Sequence, residues 1–181
     1  MIHYQLYERR RVMRVTSTVA SKKVKELKEQ IEQAKVLDMK SRYFLACIGE
    51  DPESVRPEYD FLESTQNIAA LEAKLRKIKH AINVFNTQQK LDGFEITIDE
   101  ALVMLPQLTV EKQRLTEMAA KLPKERKSQG YLSNTSIIDY QYVNYDLNLA
   151  KRELEETTKL LSNIQTELNR VNTTVEFEIP D

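Results

Sequence analysis

Apolar residues recur at alternating steps of three and four along most of this chain, and this spacing constrains the fold more than any other feature. The clearest stripe lies between residues 144 and 172, and its members are Leu147, Ala150, Leu154, Thr157, Leu161, Ile164, Leu168 and Val171. Residues at this spacing share one face of an α-helix. The stripe therefore predicts one long helix over residues 144–172.

Three further stripes predict helices over residues 17–48, 58–88 and 97–122. The stripe of the first consists of Val24, Leu27, Ile31, Ala34, Leu37, Leu45 and Ile48. The second comprises Phe61, Ser64, Ile68, Leu71, Leu75, Ile78, Ile82 and Phe85, and its heptad-like spacing is typical of a helix–helix contact. The third comprises Ile98, Ala101, Leu105, Leu108, Leu115, Ala119 and Leu122. It starts at the capping-box sequence "TIDE" and contains Pro106.

Three short stretches alternate with period two, which is typical of strands. They are "GFEITI" (93–98), "IIDYQYV" (137–143) and "VEFEI" (175–179). The first two are predicted to join in a small β element. The third, in the segment 174–181, is either an added strand or a loose tail.

Helices of about 30 residues are about 45 Å long, so they bury a stripe only by lying alongside one another or by dimerising. The prediction is a mainly α fold: a four-helix antiparallel bundle, or a pair of helical hairpins, in a single domain over residues 13–173. Residues 1–12 are predicted to be a loose extension, or to be untranslated if synthesis starts at Met13, because "ERRRV" before Met13 is compatible with a purine-rich ribosome-binding site.

Composition narrows the possible partners and compartment. Lys and Arg total 27 and Asp and Glu total 28, so the chain has no general attraction for nucleic acid or for an acidic membrane. Its longest charge-free runs are about ten residues, well short of a membrane-spanning helix. A single cysteine, Cys47, excludes an intramolecular disulfide. These features favour a cytoplasmic protein that binds other proteins.

No sequence pattern predicts catalytic, metal-binding or cofactor-binding residues. The only histidines, His3 and His80, stand alone, and His80 is interpreted as a solvated helix position. Cys47 has no histidine close by in sequence and is predicted to pack near a helix end. The tyrosines Tyr131, Tyr140, Tyr142 and Tyr145 suit an interface, or they cover the end of the bundle.

The stretch "HAINVFNTQQKLDGFEITIDEAL" resembles a family of small bacterial helical proteins, the septicolysin-like family, whose function is essentially unassigned. The matching positions are Ile82, Asn83, Asn86, Leu91, Asp92, Gly93, Thr97, Ala101 and Leu102. The resemblance covers most of residues 13–172. The chain departs from the family's pattern at "MLPQL" in the third helix and at its end, which lacks tryptophan. The family's label implies a cytolysin.

Three functions follow as expectations. The leading one is a non-catalytic interaction or structural protein that self-associates through its helical stripes. A lipid- or membrane-active protein is the alternative that the resemblance implies. The third is an enzyme that uses the polar corner at residues 83–97, with Asn83, Asn86, Asp92 and nearby tyrosines. A structural role for this corner is favoured, because Asp-Gly is a tight-turn pair.

Overall fold

The computed structural model describes residues 12–126 and 139–180, and within these ranges the chain is mainly helical. The elements follow in the order β1 (Val12–Thr16), α1 (Ser17–Ser41), α2 (Pro52–Val55), α3 (Phe61–Gln88), α4 (Ile98–Ala119), β2 (Lys124–Arg126), β3 (Tyr140–Tyr142), α5 (Leu147–Thr174) and β4 (Glu176–Pro180). The predicted extension up to residue 11 lies outside the described residues, as do Tyr131 and the first two residues of the stretch 137–143.

The chain divides into two compact units, and α5 begins in one and ends in the other. The first unit comprises Met1–Gln89 and Arg170–Asp181, and the second comprises Lys90–Asn169. In the first unit α1 packs against α3, and β1 pairs antiparallel with β4, from Val12 opposite Pro180 to Thr16 opposite Glu176.

The core of the first unit lies where the strand pair meets the two helices. Its buried members are Val15, Ala20, Leu27, Ile78 and Ile179. Beside them the rings of Phe85 and Phe177 stack with centroids 4.3 Å apart. The segment 174–181 therefore contributes a strand, and its alternating Phe177 and Ile179 are the residues that attach it to the helices. The partner strand β1 was not predicted from the sequence.

The first predicted helix ends seven residues early, at Ser41 rather than residue 48. The reason is the extent of its partner. Asp38 is level with Ser64, near the start of α3, so a longer α1 would pass the end of α3 and pack on nothing. The start of α3 at Phe61 rather than residue 58 follows from Asp60, whose side chain caps the helix by accepting from Leu62 N and Glu63 N.

The second unit confirms the predicted start of the third helix. The hydroxyl of Thr97 accepts from Glu100 N, the Glu100 carboxylate accepts from Thr97 N, and Pro106 lies inside α4. The helix ends at Ala119, three residues before the predicted end. The last helix starts at Leu147 rather than residue 144, because Asp146 accepts from two amides of its first turn.

The predicted stripe of the last helix is confirmed by burial. Its buried members are Ala150, Leu161, Ile164, Leu168 and Val171, and the remaining stripe positions are half-buried. The helix runs two residues beyond the predicted end, to Thr174, and only Val175 separates it from β4. The three-four spacing therefore identified both the helix and the face that it buries.

The predicted β element between residues 93–98 and 137–143 is wrong within the described residues. Strand β3 pairs antiparallel with β2, which lies just after the predicted end of the third helix. Residues 93–98 contribute only an isolated bridge between Thr97 and Lys90. The turn at Gly93 and the cap at Thr97 explain this, because together they occupy the backbone that a longer strand would need.

Replacing Ile78 by alanine tests the core of the first unit. Ile78 is fully buried, so Ile78→Ala is expected to lower the free energy of unfolding by about 2–5 kcal/mol. Leu62 lies exposed on the same helix, so Leu62→Ala is the matched control, with a change of about 0.5 kcal/mol or less. Urea unfolding followed by circular dichroism measures both. Equal changes in the two variants would contradict this description of the core.

Candidate interaction surface

In the helical hairpin formed by α1 and α3, the apolar stripe residues become more exposed toward the end at which the two helices are connected. Near the strands Leu27 and Ile78 are buried, whereas Leu37 and Phe61 are each 67% exposed at the connected end. All four belong to the stripes that predicted helix–helix contact. The stripe residues that follow Ala34 are therefore not buried by α3.

A hydrogen-bonded group holds the connected end together. Tyr59 Oη donates to Asp38 Oδ1 at 2.6 Å, and Ser64 Oγ donates to the same oxygen at 3.0 Å. Arg42 lies 3.9 Å from the other carboxylate oxygen. The two donated hydrogen bonds lower the pKa of Asp38, and the bond to Asp38 raises the pKa of Tyr59. Because α1, the connection and α3 each contribute a residue, the group fixes the end of α1 against the start of α3.

Asp38 and Tyr59 of this group line two cavities. The larger is about 550 Å³ and is lined by Asp38, Arg42, Tyr43, Tyr59, Phe61, Thr65, Ile68, Ala69 and Glu72. The smaller is about 280 Å³ and is lined by Ala34, Leu37, Asp38, Ser41, Glu58, Tyr59, Asp60, Glu63, Ser64 and Asn67. The larger mixes aromatic, aliphatic and charged side chains. The smaller carries four carboxylates and no basic side chain.

The connection between α1 and α3 is unusually apolar for an exposed loop. Leu45 is 96% exposed and Ile48 is 108% exposed, and Tyr43 is exposed as well. We call the exposed apolar residues at this end of the hairpin the distal patch. They are Leu37, Met39, Tyr43, Phe44, Leu45, Ile48, Phe61 and Leu62. Cys47 lies among them and is exposed, which corrects the prediction that it packs near a helix end.

Acidic residues dominate the surroundings of the distal patch. Between the end of α1 and the first turn of α3 lie Glu50, Asp51, Glu53, Glu58, Asp60 and Glu63. The only basic residue of that segment besides Arg42 is Arg56, which pairs with Glu53 at 2.8 Å and lies over the ring of Phe44. The carboxylates therefore outnumber the cations around an apolar surface.

A second group of exposed apolar residues lies on α4. Val103 and Val110 are 60% and 69% exposed and lie seven residues apart, with the exposed Pro106 between them. Asp99 and Arg114 extend the same helix face at its two ends. This set of five residues is called the α4 face below.

The polar corner predicted at residues 83–97 contains a hydrogen-bonded turn. Leu91 is buried, its amide donates to the carbonyl of Ile96, and Phe94 N donates to the carbonyl of Leu91. Gly93 has φ +79° between them, as an Asp-Gly turn predicts. The amide of Asp92 donates to a carboxylate oxygen of Glu167. The residues proposed for an enzyme fall in both units: Asn83 and Asn86 in the first, Asp92 in the second.

The remaining sequence candidates are dispersed. His80 is exposed on α3, as predicted. Tyr140 and Tyr142 flank Lys124, whose ammonium lies 4.1 Å from the first ring centroid, and Tyr145 donates to the carbonyl of Met118. Over residues 12–126 and 139–180, no group of three or more His, Cys, Asp or Glu side chains is arranged to hold a metal ion.

Comparison with known proteins extends only to the fold. No protein-family model matches the chain, and neither does a curated protein sequence. The chain is similar to the crystal structure of a functionally unknown conserved protein from Corynebacterium diphtheriae, with 14% sequence identity and a TM-score of 0.53. The similarity covers 91% of this chain and 99% of that one. In the part of the chain that the structure describes, no helix is long and apolar enough to cross a membrane.

Gly93 gives a test of the corner as a structural turn. A Cβ at this position meets no other atom within 4 Å, so the cost of Gly93→Ala arises from its positive φ alone. We expect a loss of about 1–2 kcal/mol in the free energy of unfolding. Gly93→Asn, which tolerates this backbone region better, is expected to lose less. Urea unfolding of both variants checks this, and a neutral Gly93→Ala would show that the turn adopts another conformation.

Removing the Tyr59 hydroxyl tests the group at the connected end of the hairpin. In Tyr59→Phe the pKa of Asp38 is expected to rise toward its ordinary value, measured by NMR titration of the carboxyl group. Because the pKa of Asp38 is lowered in the folded state, its stabilising effect is present above the ordinary pKa of aspartate and is lost as the pH falls through the folded pKa. The stability of Tyr59→Phe should therefore decrease less on acidification than that of the unaltered protein.

The control for this experiment is Tyr43→Phe, which alters a tyrosine of the same cavity that has no hydrogen bond to Asp38. Its Asp38 should titrate as in the unaltered protein. An unchanged pKa of Asp38 in Tyr59→Phe would contradict the assigned hydrogen bond.

Proposed function

We propose that this protein is a non-catalytic helical interaction protein that self-associates through exposed apolar faces of its helices. The observation that carries the proposal is the number of large apolar side chains left uncovered. Among the described residues, eighteen large hydrophobic residues are exposed, whereas sixteen hydrophobic residues are buried. Groups of exposed apolar residues, such as Val103 and Val110 on α4, are typical of interaction sites.

The α4 face is the surface that best suits a second copy. Val103 and Val110 are placed symmetrically about the midpoint between Pro106 and Gln107, and so are Asp99 and Arg114. In two antiparallel α4 helices related by a two-fold axis, Val103 of one copy lies beside Val110 of the other. Asp99 lies beside Arg114, whose guanidinium also pairs with Glu111 of its own helix. Such an isologous contact is self-complementary in both shape and charge.

Neither alternative has comparable support. A membrane-active function rests on the family resemblance alone, and an enzyme at the polar corner would need groups that are convergent rather than engaged in a turn. The proposal keeps the expectation of a cytoplasmic protein, because the chain has one cysteine and a balanced charge.

Sedimentation velocity of the full chain from about 1 µM to about 1 mM tests self-association over weak and moderate Kd values. We expect a monomer–dimer equilibrium. Replacing both valines of the α4 face by glutamate should weaken it at least about tenfold, because each carboxylate would enter an apolar contact.

The matched control is Thr109→Glu with Thr116→Glu, which adds the same charge to exposed positions on another side of α4. This control should dimerise nearly as the unaltered chain does. A monomer at every concentration would overturn the proposal, and equal weakening in both double variants would exclude the α4 face.

A further inference from the structure

We propose that the distal patch docks a segment of a different protein, one that presents apolar side chains flanked by lysine or arginine. This goes beyond self-association, which is assigned to the α4 face, and it holds whether or not the chain dimerises.

The first argument is the size and exposure of the apolar surface. Eight large apolar residues are exposed within one end of one hairpin, and Leu45 and Ile48 are almost completely so. They accompany a cavity of about 550 Å³ whose lining includes the side chains of Phe61 and Ile68. Exposed apolar residues beside a concave site suit an apolar side chain of a partner.

The second argument is charge, which determines the chemistry of the partner. The cavity of about 280 Å³ places the carboxylates of Glu58, Asp60 and Glu63 beside the apolar Leu37, with no basic residue in the lining. Among the described residues, none of the ion pairs involves Glu58 or Glu63. A partner that carries lysine or arginine around its apolar side chains would be complementary to both parts of the surface.

The same charges argue against two other occupants. A second copy of this chain would bring its own carboxylates against these, and juxtaposed like charges weaken an interface. An anionic lipid surface would be repelled in the same way.

The third argument is preorganisation. Asp38 lines both cavities and is fixed by hydrogen bonds from Tyr59 and Ser64. The walls of the site are therefore held in place before a partner arrives, which reduces the entropy lost on binding.

The test uses the full chain and a labelled synthetic peptide in which leucine recurs at helical spacing and lysine fills the other positions. Binding is measured by fluorescence anisotropy, and a second peptide carries glutamate in place of lysine. We expect micromolar binding of the lysine peptide that weakens with added salt, and binding of the glutamate peptide at least about tenfold weaker.

Two pairs of variants locate the binding. Ile48→Ser should weaken binding at least about tenfold, because an apolar contact is lost, whereas Leu149→Ser, at an exposed leucine of α5, should not. Glu58→Gln with Glu63→Gln should weaken binding about threefold, whereas Glu155→Gln with Glu156→Gln, at exposed positions of α5, should not. All six positions altered in the distal variants and their controls are exposed, and circular dichroism verifies that each variant is folded.

Several outcomes would overturn the inference. They are the absence of binding of the lysine peptide up to about 1 mM, equal binding of the two peptides, and equal effects of the distal variants and their controls. Vesicles of phosphatidylcholine provide the last arm. If the chain binds them and Ile48→Ser abolishes this, while the lysine peptide does not bind, the occupant is a lipid surface and not a protein.

Discussion

Pairing of β1 with β4 is the interaction on which the first unit depends. The strands lie at opposite ends of the described chain, and their ladder places the start of α1 beside the end of α5, where the hydroxyl of Thr18 donates to the carbonyl of Asn172. Phe177 and Ile179 of β4 then supply the apolar surface that a pair of helices lacks. Two helices alone bury only a narrow strip, so the strands provide the second layer that a core requires.

Burial in the hairpin decreases with distance from these strands. Ile78 is fully buried beside β4, Leu71 and Leu75 are half-buried further along, and Phe61 is exposed at the other end. At the end of the hairpin where apolar packing is lacking, Tyr59 and Ser64 donate hydrogen bonds to Asp38 and hold the helices together. The distal end is thus specified by directional polar contacts, and its apolar side chains are left free.

Interactions between residues close in sequence made part of this fold predictable. The stripe of α5, the capping box at Thr97 and the turn at Gly93 each depend on residues close in sequence, and each is found as predicted. The early end of α1 and the pairing of β2 with β3 depend on where another segment lies, which periodicity does not encode. The same limit applies to the α1 stripe: its spacing predicts a helix but not whether Leu37 is covered.

The sequence did not predict the candidate interaction surface at the distal end of the hairpin, for a related reason. Asp38, Tyr59 and Ser64 come from a helix, a loop and another helix, so no local motif joins them. Cys47 was predicted to pack near a helix end because the stretch "YFLACIG" is mostly apolar, yet among the described residues no element covers Leu45 or Ile48. A signal was nevertheless present. An apolar run followed within a few residues by Glu50, Asp51 and Glu53 on one continuous loop is hard to reconcile with burial, because the carboxylates must stay hydrated. In the proposed complex, the partner covers the apolar side chains of this loop and its cations pair with the carboxylates.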